Sequence, residues 1–297
     1  MVDDACPEHT GQRIVAHSND PRVQVITHAT NQGVGGAVAT GYRAAVAAGA
    51  EVVVKLDGDG QMDPALIPAL VRPIAAGTAD YVKGNRFHRL GYLRGMPATR
   101  LFGNASLSLL TKASSGYWQL FDPTNGFTAI HATLLTEIDL NRLARRYFFE
   151  SDLLYHLNQV RAVVADLPMP ATYGEETSSL RPARMVVPFL AGNLYNLVRR
   201  IGYSYFLRGF SVASLELLAS LPLLLFGLGF GAWHWLVSVQ SGETASAGTV
   251  MLAALPLILG TQLLLSWLNF DVGSEPRQPI HPMLARMRPS HGTDSSM

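Results

Sequence analysis

The sequence predicts an α/β domain built on a mostly parallel sheet, followed by interfacial helices and two membrane-spanning helices. Three observations carry this expectation. Apolar runs of strand length alternate with helix-length segments through the first part of the chain. The acidic stretch Asp57-Gly58-Asp59-Gly60-Gln61 stands where one of those strands runs out. Two long stretches without a charged side chain then precede a polar tail.

Taken in order, Val23 to Thr27 is a short β-type run. Asn31-Gln32-Gly33-Val34-Gly35-Gly36 follows it and opens a helix from Ala37 to Ala48. The next strand, Val52 to Leu56, ends on the acidic stretch, and Met62-Asp63-Pro64 turns the chain into a helix from Pro64 to Ala76. Another strand follows at Tyr81-Val82-Lys83. Such alternation argues for parallel strands with functional groups at their C-terminal ends, and the acidic stretch falls at such an end. The glycine cluster Gly33-x-Gly35-Gly36 matches a dinucleotide fingerprint only loosely, and no Gly-Lys-Ser/Thr follows it. It reads as a helix-entry turn that lets the helix pack closely on the sheet, with a direct phosphate cradle as the minority reading.

Asp57 and Asp59 lie at i and i+2 with a small residue between them, so both carboxylates can converge on one divalent cation. Oxygen-only ligands suit hard Mg²⁺ or Mn²⁺, which finish their shells with substrate phosphates and water. A lone pair of this kind is also common on solvated turns, and only its place at a strand end favours a ligand.

Composition narrows the classes. The chain has 297 residues, 48% hydrophobic and 15% charged, with a formal charge of +1. There is no basic stripe interleaved with aromatics, so nucleic acid is not an expected partner. Cys6 is the only cysteine, which excludes a disulfide framework and a cysteine metal site and fits a reducing compartment. Met1 to Asp20 is polar and acidic and does not read as a signal peptide.

Leu217 to Val237 and Gly248 to Phe270 carry no charged side chain, taking His234 as neutral. Each meets the roughly 20 residues that a ~30 Å hydrocarbon core requires. Pro222 and Pro256 are tolerable within spans, and Trp233, Trp235 and Trp267 suit the interface. Arg199, Arg200 and Arg208 precede the first span, and Arg277, Arg286 and Arg288 follow the second, which places both ends in the cytoplasm. The segment from Phe189 to Arg208 mixes aromatics with arginines, as a helix in the headgroup plane would, with arginines towards anionic lipid. A plain linker helix is the alternative. The tail from Gly273 onward reads as disordered.

Several motifs in order resemble a known family. Val2-Asp3-Asp4, Asn31-x-Gly33, the acidic stretch, Gly84-Asn85-Arg86 and Asp122-Pro123-Thr124-Asn125-Gly126-Phe127 together look like a family-2 inverting glycosyltransferase. The resemblance is to the Rossmann-like GT-A fold, in the polyprenyl-phosphate, dolichol-phosphate-mannose-synthase-like branch with a C-terminal membrane hairpin. It implies transfer of a sugar from a nucleotide-diphosphate sugar to a polyprenyl phosphate lipid, with inversion, at the cytoplasmic face of a bacterial inner membrane. Val2 and Asp4 would then belong to the strand end that reads the nucleotide. Asp57, Gly58 and Asp59 would meet the nucleotide sugar, Asp59 and Gln61 would hold the metal, and Asp59 would count as catalytic through that ion. Arg86 and Arg100 would add guanidinium contacts to phosphate oxygens. Asn125 would sit in the acceptor loop, and Arg181 and Arg184, after Tyr173-Gly174-Glu175-Glu176, would close over nucleotide and lipid phosphate.

Glu150 and Asp152 are expected as base or as organisers of the acceptor site, with helix-start carboxylates favoured by the dipole as an equal alternative. A lipid phosphate is already an anion and needs no strong base, whereas a glycan or glycolipid hydroxyl would need one. Members of the family begin one β-strand earlier, with a nucleotide-gripping loop. The GT-A domain is therefore expected to be N-terminally truncated here, through a start assigned too late. The other reading is a remnant with unpaired backbone, serving as a membrane-tethered binding module. The expected boundaries are 1–185 for the transferase domain, 186–210 for interfacial helices, 211–272 for the hairpin and 273–297 for the tail. Oligomeric state is not legible, although hairpin anchors leave a homo-oligomer open.

Overall fold

The structure is a computed structural model and describes residues 1–88, 98–123, 125–170 and 182–287, without the side chains of 98–102, 104 and 182–185. The chain divides into two compact units, one of residues 1–198 with 276–297 and the other of Arg199–Glu275.

The first unit alternates strands and helices: β1 Val2–Asp3, α1 Thr10–His17, β2 Ile26–Thr27, α2 Val34–Ala47, β3 Val52–Lys55, α3 Ile67–Ala75 and β4 Tyr81–Asn85. Then come α4 Ala98–Ser115, β5 Thr128–His131, α5 Ala132–Glu137, α6 Phe149–Gln159, β6 Val164–Pro168 and α7 Pro182–Ile201. A 3-10 turn at Pro64–Leu66 leads into α3, and Asp63 caps it by accepting from the Ala65 N–H. The strands expected around residues 23, 52 and 81 are present, the first shortened to Ile26–Thr27 and the last extended to Asn85. α1 and β5 were not read from sequence. β5 makes the sheet mixed: it runs antiparallel between β3 and β4, while β4 pairs β6 in parallel. β1 and β2 form a separate parallel ladder, and β3 lies at the edge of the four-stranded sheet.

Side-chain alternation along the strands explains two cores on two faces. Tyr81, Ile130 and Val53 face Tyr42, Leu134, Phe149, Leu153 and Leu157 from the α2, α5 and α6 side. Their neighbours Val82, Ala129, Val52 and Val54 face Leu70, Ile74, Phe127 and Met169 from the α3 side. Each fully buried large side chain contributes about 1.5–3 kcal/mol relative to exposure.

The tail differs from expectation. Pro276 onward belongs to the first unit, and α10 spans His281–Met287. Asp80, with no exposed surface, accepts from the backbone N–H groups of Ile280 and His281 and lies 2.7 Å from His281 Nδ1. The His281 ring stacks on His131 at 4.3 Å. The Pro, Arg, His and Ser of this segment point to disorder, but a single buried carboxylate two hundred residues away supplies the partners for Ile280 and His281. Arg288 lies outside the described residues.

In the second unit a π-type turn, Gly202–Leu207, leads to α8 Val212–Ser241 and α9 Ala247–Gly273. Both helices are long and apolar enough to cross a membrane. They pack antiparallel through small residues: a Cβ at Gly227 would stand 2.7 Å from Leu257 Cγ, and one at Gly260 2.9 Å from Leu224 Cγ. Gly242, at φ +71°, ends α8, and the Ser246 hydroxyl caps α9 by accepting from the Thr249 N–H. Arg200 corrects the lipid-facing expectation. It is buried and donates to both Asp271 oxygens at 2.6 and 2.9 Å, with the Tyr205 hydroxyl on Oδ1 at 2.7 Å. A buried guanidinium is held by such a two-pronged carboxylate because leaving it unpaired would cost several kcal/mol.

Candidate active site

Lys55 closes β3 and its side chain points to the same face as Asp57, two residues on. Its ammonium lies 2.8 Å from Asp57 Oδ1 and 3.1 Å from Oδ2. The same ammonium lies 3.5 Å from Glu150 Oε1, in the first turn of α6. The acidic loop beyond is open. Asp59 is exposed and its Oδ1 accepts from the Gln61 N–H at 3.0 Å, which bends the loop through Gly60 at φ +71°. A Cβ at Gly58 would meet nothing within 4 Å. Asp57 and Asp59 thus offer two carboxylates at a strand end, and among the described residues no group of three His, Cys, Asp or Glu gathers there. That donor set fits a hard cation, which takes oxygen ligands.

The neighbouring loop is fastened from below. Arg86 donates to Asp122 through Nε and Nη2 at 2.7 and 2.9 Å, and its backbone N–H joins at 3.1 Å. The buried Lys83 ammonium donates to the Asn125 carbonyl. Burial pushes the Lys83 ammonium down to about 8, against the pull of Asp122 and Glu150, while Lys55 and Arg86 push the same way as burial. Asn125 is turned inward, its Oδ1 accepting from the Phe127 N–H at 3.0 Å and its Nδ2 lying 3.3 Å from Met169 Sδ. Gly84 leaves room for it, since a Cβ there would stand 2.9 Å from Asn125 Nδ2. Arg86 and Asn125, expected at phosphate and acceptor, are therefore engaged in holding their own loop.

Asp152 parts company with Glu150. Two residues along a helix is about 200°, so the two carboxylates leave opposite faces. Asp152 accepts from the Ala144 N–H at 2.8 Å and from Asn196 Nδ2 at 2.9 Å, tying α6 to α7. This geometry makes it a frame residue rather than a base. Asp4 is likewise engaged: its carboxylate accepts from the Gln32 and Gly33 N–H groups at 2.9 and 2.8 Å and lies 2.6 Å from His28 Nδ1. Burial would raise the Asp4 carboxyl, but those hydrogen bonds outweigh it and hold it below its usual range. Val2 is half-buried in β1, facing α2, where a Cβ at Gly41 would stand 3.4 Å from its Cγ2.

Gly33, at φ +84°, opens α2, and the Gly35 and Gly36 N–H groups donate to the Arg145 carbonyl at 2.8 and 3.3 Å. The glycine cluster is thus a helix-entry turn, packed on the segment before α6 rather than on the sheet, with those two donors already satisfied. Arg100 and Arg184 lie in α4 and α7 with side chains outside the described ones, and Arg181 lies outside the described residues. Lys55 itself was not read from sequence. Its signal was a lone charge in an apolar strand, two residues before an aspartate.

A family model, Glycosyl transferase family 2, matches residues 1–150. The chain is 31% identical over 168 residues to the UDP-N-acetylglucosamine–dolichyl-phosphate N-acetylglucosaminyltransferase of Methanococcus voltae, covering 57% of this chain and 66% of the relative. It is 32% identical over 171 residues to the undecaprenyl-phosphate mannosyltransferase of Micrococcus luteus, covering 57% of this chain and 69% of the relative. Among solved structures, glucosyl-3-phosphoglycerate synthase of Mycobacterium tuberculosis aligns at a TM-score of 0.48 with 22% identity, covering 68% of each chain. This chain spans about two thirds of the length of the two curated relatives. With half its length matched by the family model and the acidic strand end in place, the chain belongs to glycosyl transferase family 2, the GT-A glycosyltransferases.

Proposed function

We propose that this protein is a membrane-anchored transferase that moves one sugar from a nucleotide-diphosphate sugar to polyprenyl phosphate at the cytoplasmic face. The observation that carries the reading is connectivity. The hairpin α8–α9 is inserted between two segments of the globular unit, residues 1–198 and 276–297, so both its ends return to the unit that bears the acidic strand end. This supports one side of the membrane for both. The outer face of α7 adds to it: Val186, Leu190, Leu194 and Val198, spaced by four, are all exposed, while Asn193 and Asn196 point inward. Relatives named for dolichyl- and undecaprenyl-phosphate transfer support the acceptor class.

A divalent cation held by Asp59 and Gln61, with Asp57 facing the nucleotide, would supply Lewis-acid neutralisation of the diphosphate charge. Gly58 leaves open space where the sugar nucleotide comes close to the backbone. An oxygen of the acceptor phosphate bonds to the anomeric carbon as the bond to the diphosphate oxygen breaks. The nucleotide diphosphate departs and the configuration inverts. Glu150 serves as an organiser of the acceptor side, because an anionic acceptor needs no strong base. Arg100, Arg181 and Arg184 remain the proposed guanidinium contacts to the two phosphates.

The test uses detergent-solubilised full-length protein, undecaprenyl phosphate and a panel of UDP- and GDP-sugars with Mn²⁺. Transfer should give a lipid product cleaved by mild acid. D59A should lose transfer by about 10²-fold or more, with a melting temperature close to that of the unmodified chain, because Asp59 is an exposed surface residue. An acid-stable glycoside would replace the lipid phosphate with a hydroxyl acceptor, and full activity of D59A in EDTA would remove the metal role.

A further inference from the structure

The transferase reading gives no role to Lys55, yet its ammonium is the closest charge to both halves of the centre. It reaches Asp57 at 2.8 Å and Glu150 at 3.5 Å. We propose that Lys55 is a positioning residue whose single ammonium bridges the donor-side carboxylate Asp57 and the acceptor-side carboxylate Glu150, fixing the two in one arrangement.

The surroundings favour a bridge over an incidental surface pair. The Lys55 and Glu150 side chains are 7% and 12% exposed, so their contact is largely shielded from solvent, whereas exposed pairs contribute little. Gly126 closes over the contact: a Cβ there would collide with both the Asp57 carboxylate and the Lys55 ammonium. The choice of residue points the same way. The chain has only three lysines, Lys55, Lys83 and Lys112, against many arginines, and two of the three are buried in this cluster. A compact ammonium can touch two carboxylates under a glycine, where a planar guanidinium fork would need more room.

Other charges facing the cluster are Lys83 from β4, Arg86 just beyond its end and Asp122 from the loop. The Tyr42 phenol faces it from α2 and the Tyr81 phenol from β4. Lys55, Lys83 and Arg86 therefore stand against Asp57, Glu150 and Asp122. Removing Lys55 leaves the negative charges in excess, with Glu150 shielded, Asp57 36% exposed and the two repelling each other.

The bridge makes a prediction of sign. With Lys55 present, Glu150→Gln removes an attraction and should lower the melting temperature of the full-length protein in detergent by about 2–4 °C. In the Lys55→Met background the same substitution removes a repulsion and should raise it by a similar amount. A packing role for the lysine stem would not invert that sign. A fall of equal size in both backgrounds would overturn the bridge. If K55M does not accumulate, Lys55→Gln takes its place, since it keeps the stem and removes the charge.

The catalytic consequence rests on the transferase reading, whereas the bridge does not. With an active sugar nucleotide, K55M should lose about 10–100-fold in kcat while KM for that donor moves less than about threefold. A change confined to KM would overturn the positioning role. If the unmodified protein transfers nothing from the UDP- and GDP-sugar panel to undecaprenyl phosphate, the transferase reading falls and the melting comparison alone decides the bridge.

Discussion

Gly126 is the joint between the two halves of the centre, and Gly126→Ala tests whether their spacing matters. The backbone there accepts alanine, since Gly126 is not among the residues with positive φ. Space is the only obstacle. The new methyl would collide with the Asp57 carboxylate and the Lys55 ammonium and stand 3.2 Å from Met62 Cε. Relief requires those groups or the loop to move by about 1 Å, and overpacking of this kind costs roughly 1–3 kcal/mol. At about 2–4 °C per kcal/mol, the melting temperature should fall by roughly 2–12 °C. A displacement near 1 Å at a reacting centre costs on the order of 10²-fold in rate, so kcat should fall far more than the modest loss of stability explains. Gly60→Ala serves as control: its φ of +71° adds strain, but no atom lies within 4 Å to be displaced. Scanning calorimetry and single-turnover transfer on the same samples read both effects. Activity of G126A within twofold of the unmodified protein would refute the close coupling of loop, lysine and aspartate.

Asp152→Ala should act on the frame. Losing two hydrogen bonds to a buried carboxylate should cost about 3 kcal/mol, seen as a melting temperature lower by roughly 6–12 °C. The kcat of the folded fraction should fall less than tenfold, and a loss above 10³-fold without destabilisation would return Asp152 to the reacting groups. Lys83 gives a pH dependence with a definite sign. Its ammonium is lowered from 10.5 to about 8 by burial, so the unfolded chain binds the extra proton between those values. The burial cost is fully present below pH 8 and disappears as pH rises through the window to 10.5, a gain of about 3 kcal/mol. Denaturant melts across that range should show stability rising, and K83M should flatten the slope.

Much of the fold was legible because its signals are local. The apolar strand at Val52, the helix entry at Gly33 and the two uncharged stretches each depend on neighbours in sequence. The order of motifs carried the family in the same way. The antiparallel β5 was not legible, because Thr128–His131 is too short to announce a direction and only pairing with β3 and β4 fixes it. The order of residues 276–287 was not legible for a similar reason: their anchor, Asp80, lies in another part of the chain.

For the centre, residue types and the strand-end position of Asp57 and Asp59 were determined by sequence alone, since period and composition place an acidic loop after an apolar strand, which the structure puts half-buried at the sheet edge. Which acids act together was decided by tertiary structure. Glu150 and Asp152 read alike in sequence, yet helical rotation sends one to Lys55 and the other to Ala144 and Asn196. Arg86 and Asn125 have the chemistry to meet a phosphate or an acceptor, but buried partners at Asp122, Phe127 and Met169 hold them in the loop. A sequence specifies which groups a chain can offer. Burial and pairing across distant segments decide which of them meet at the acidic strand end.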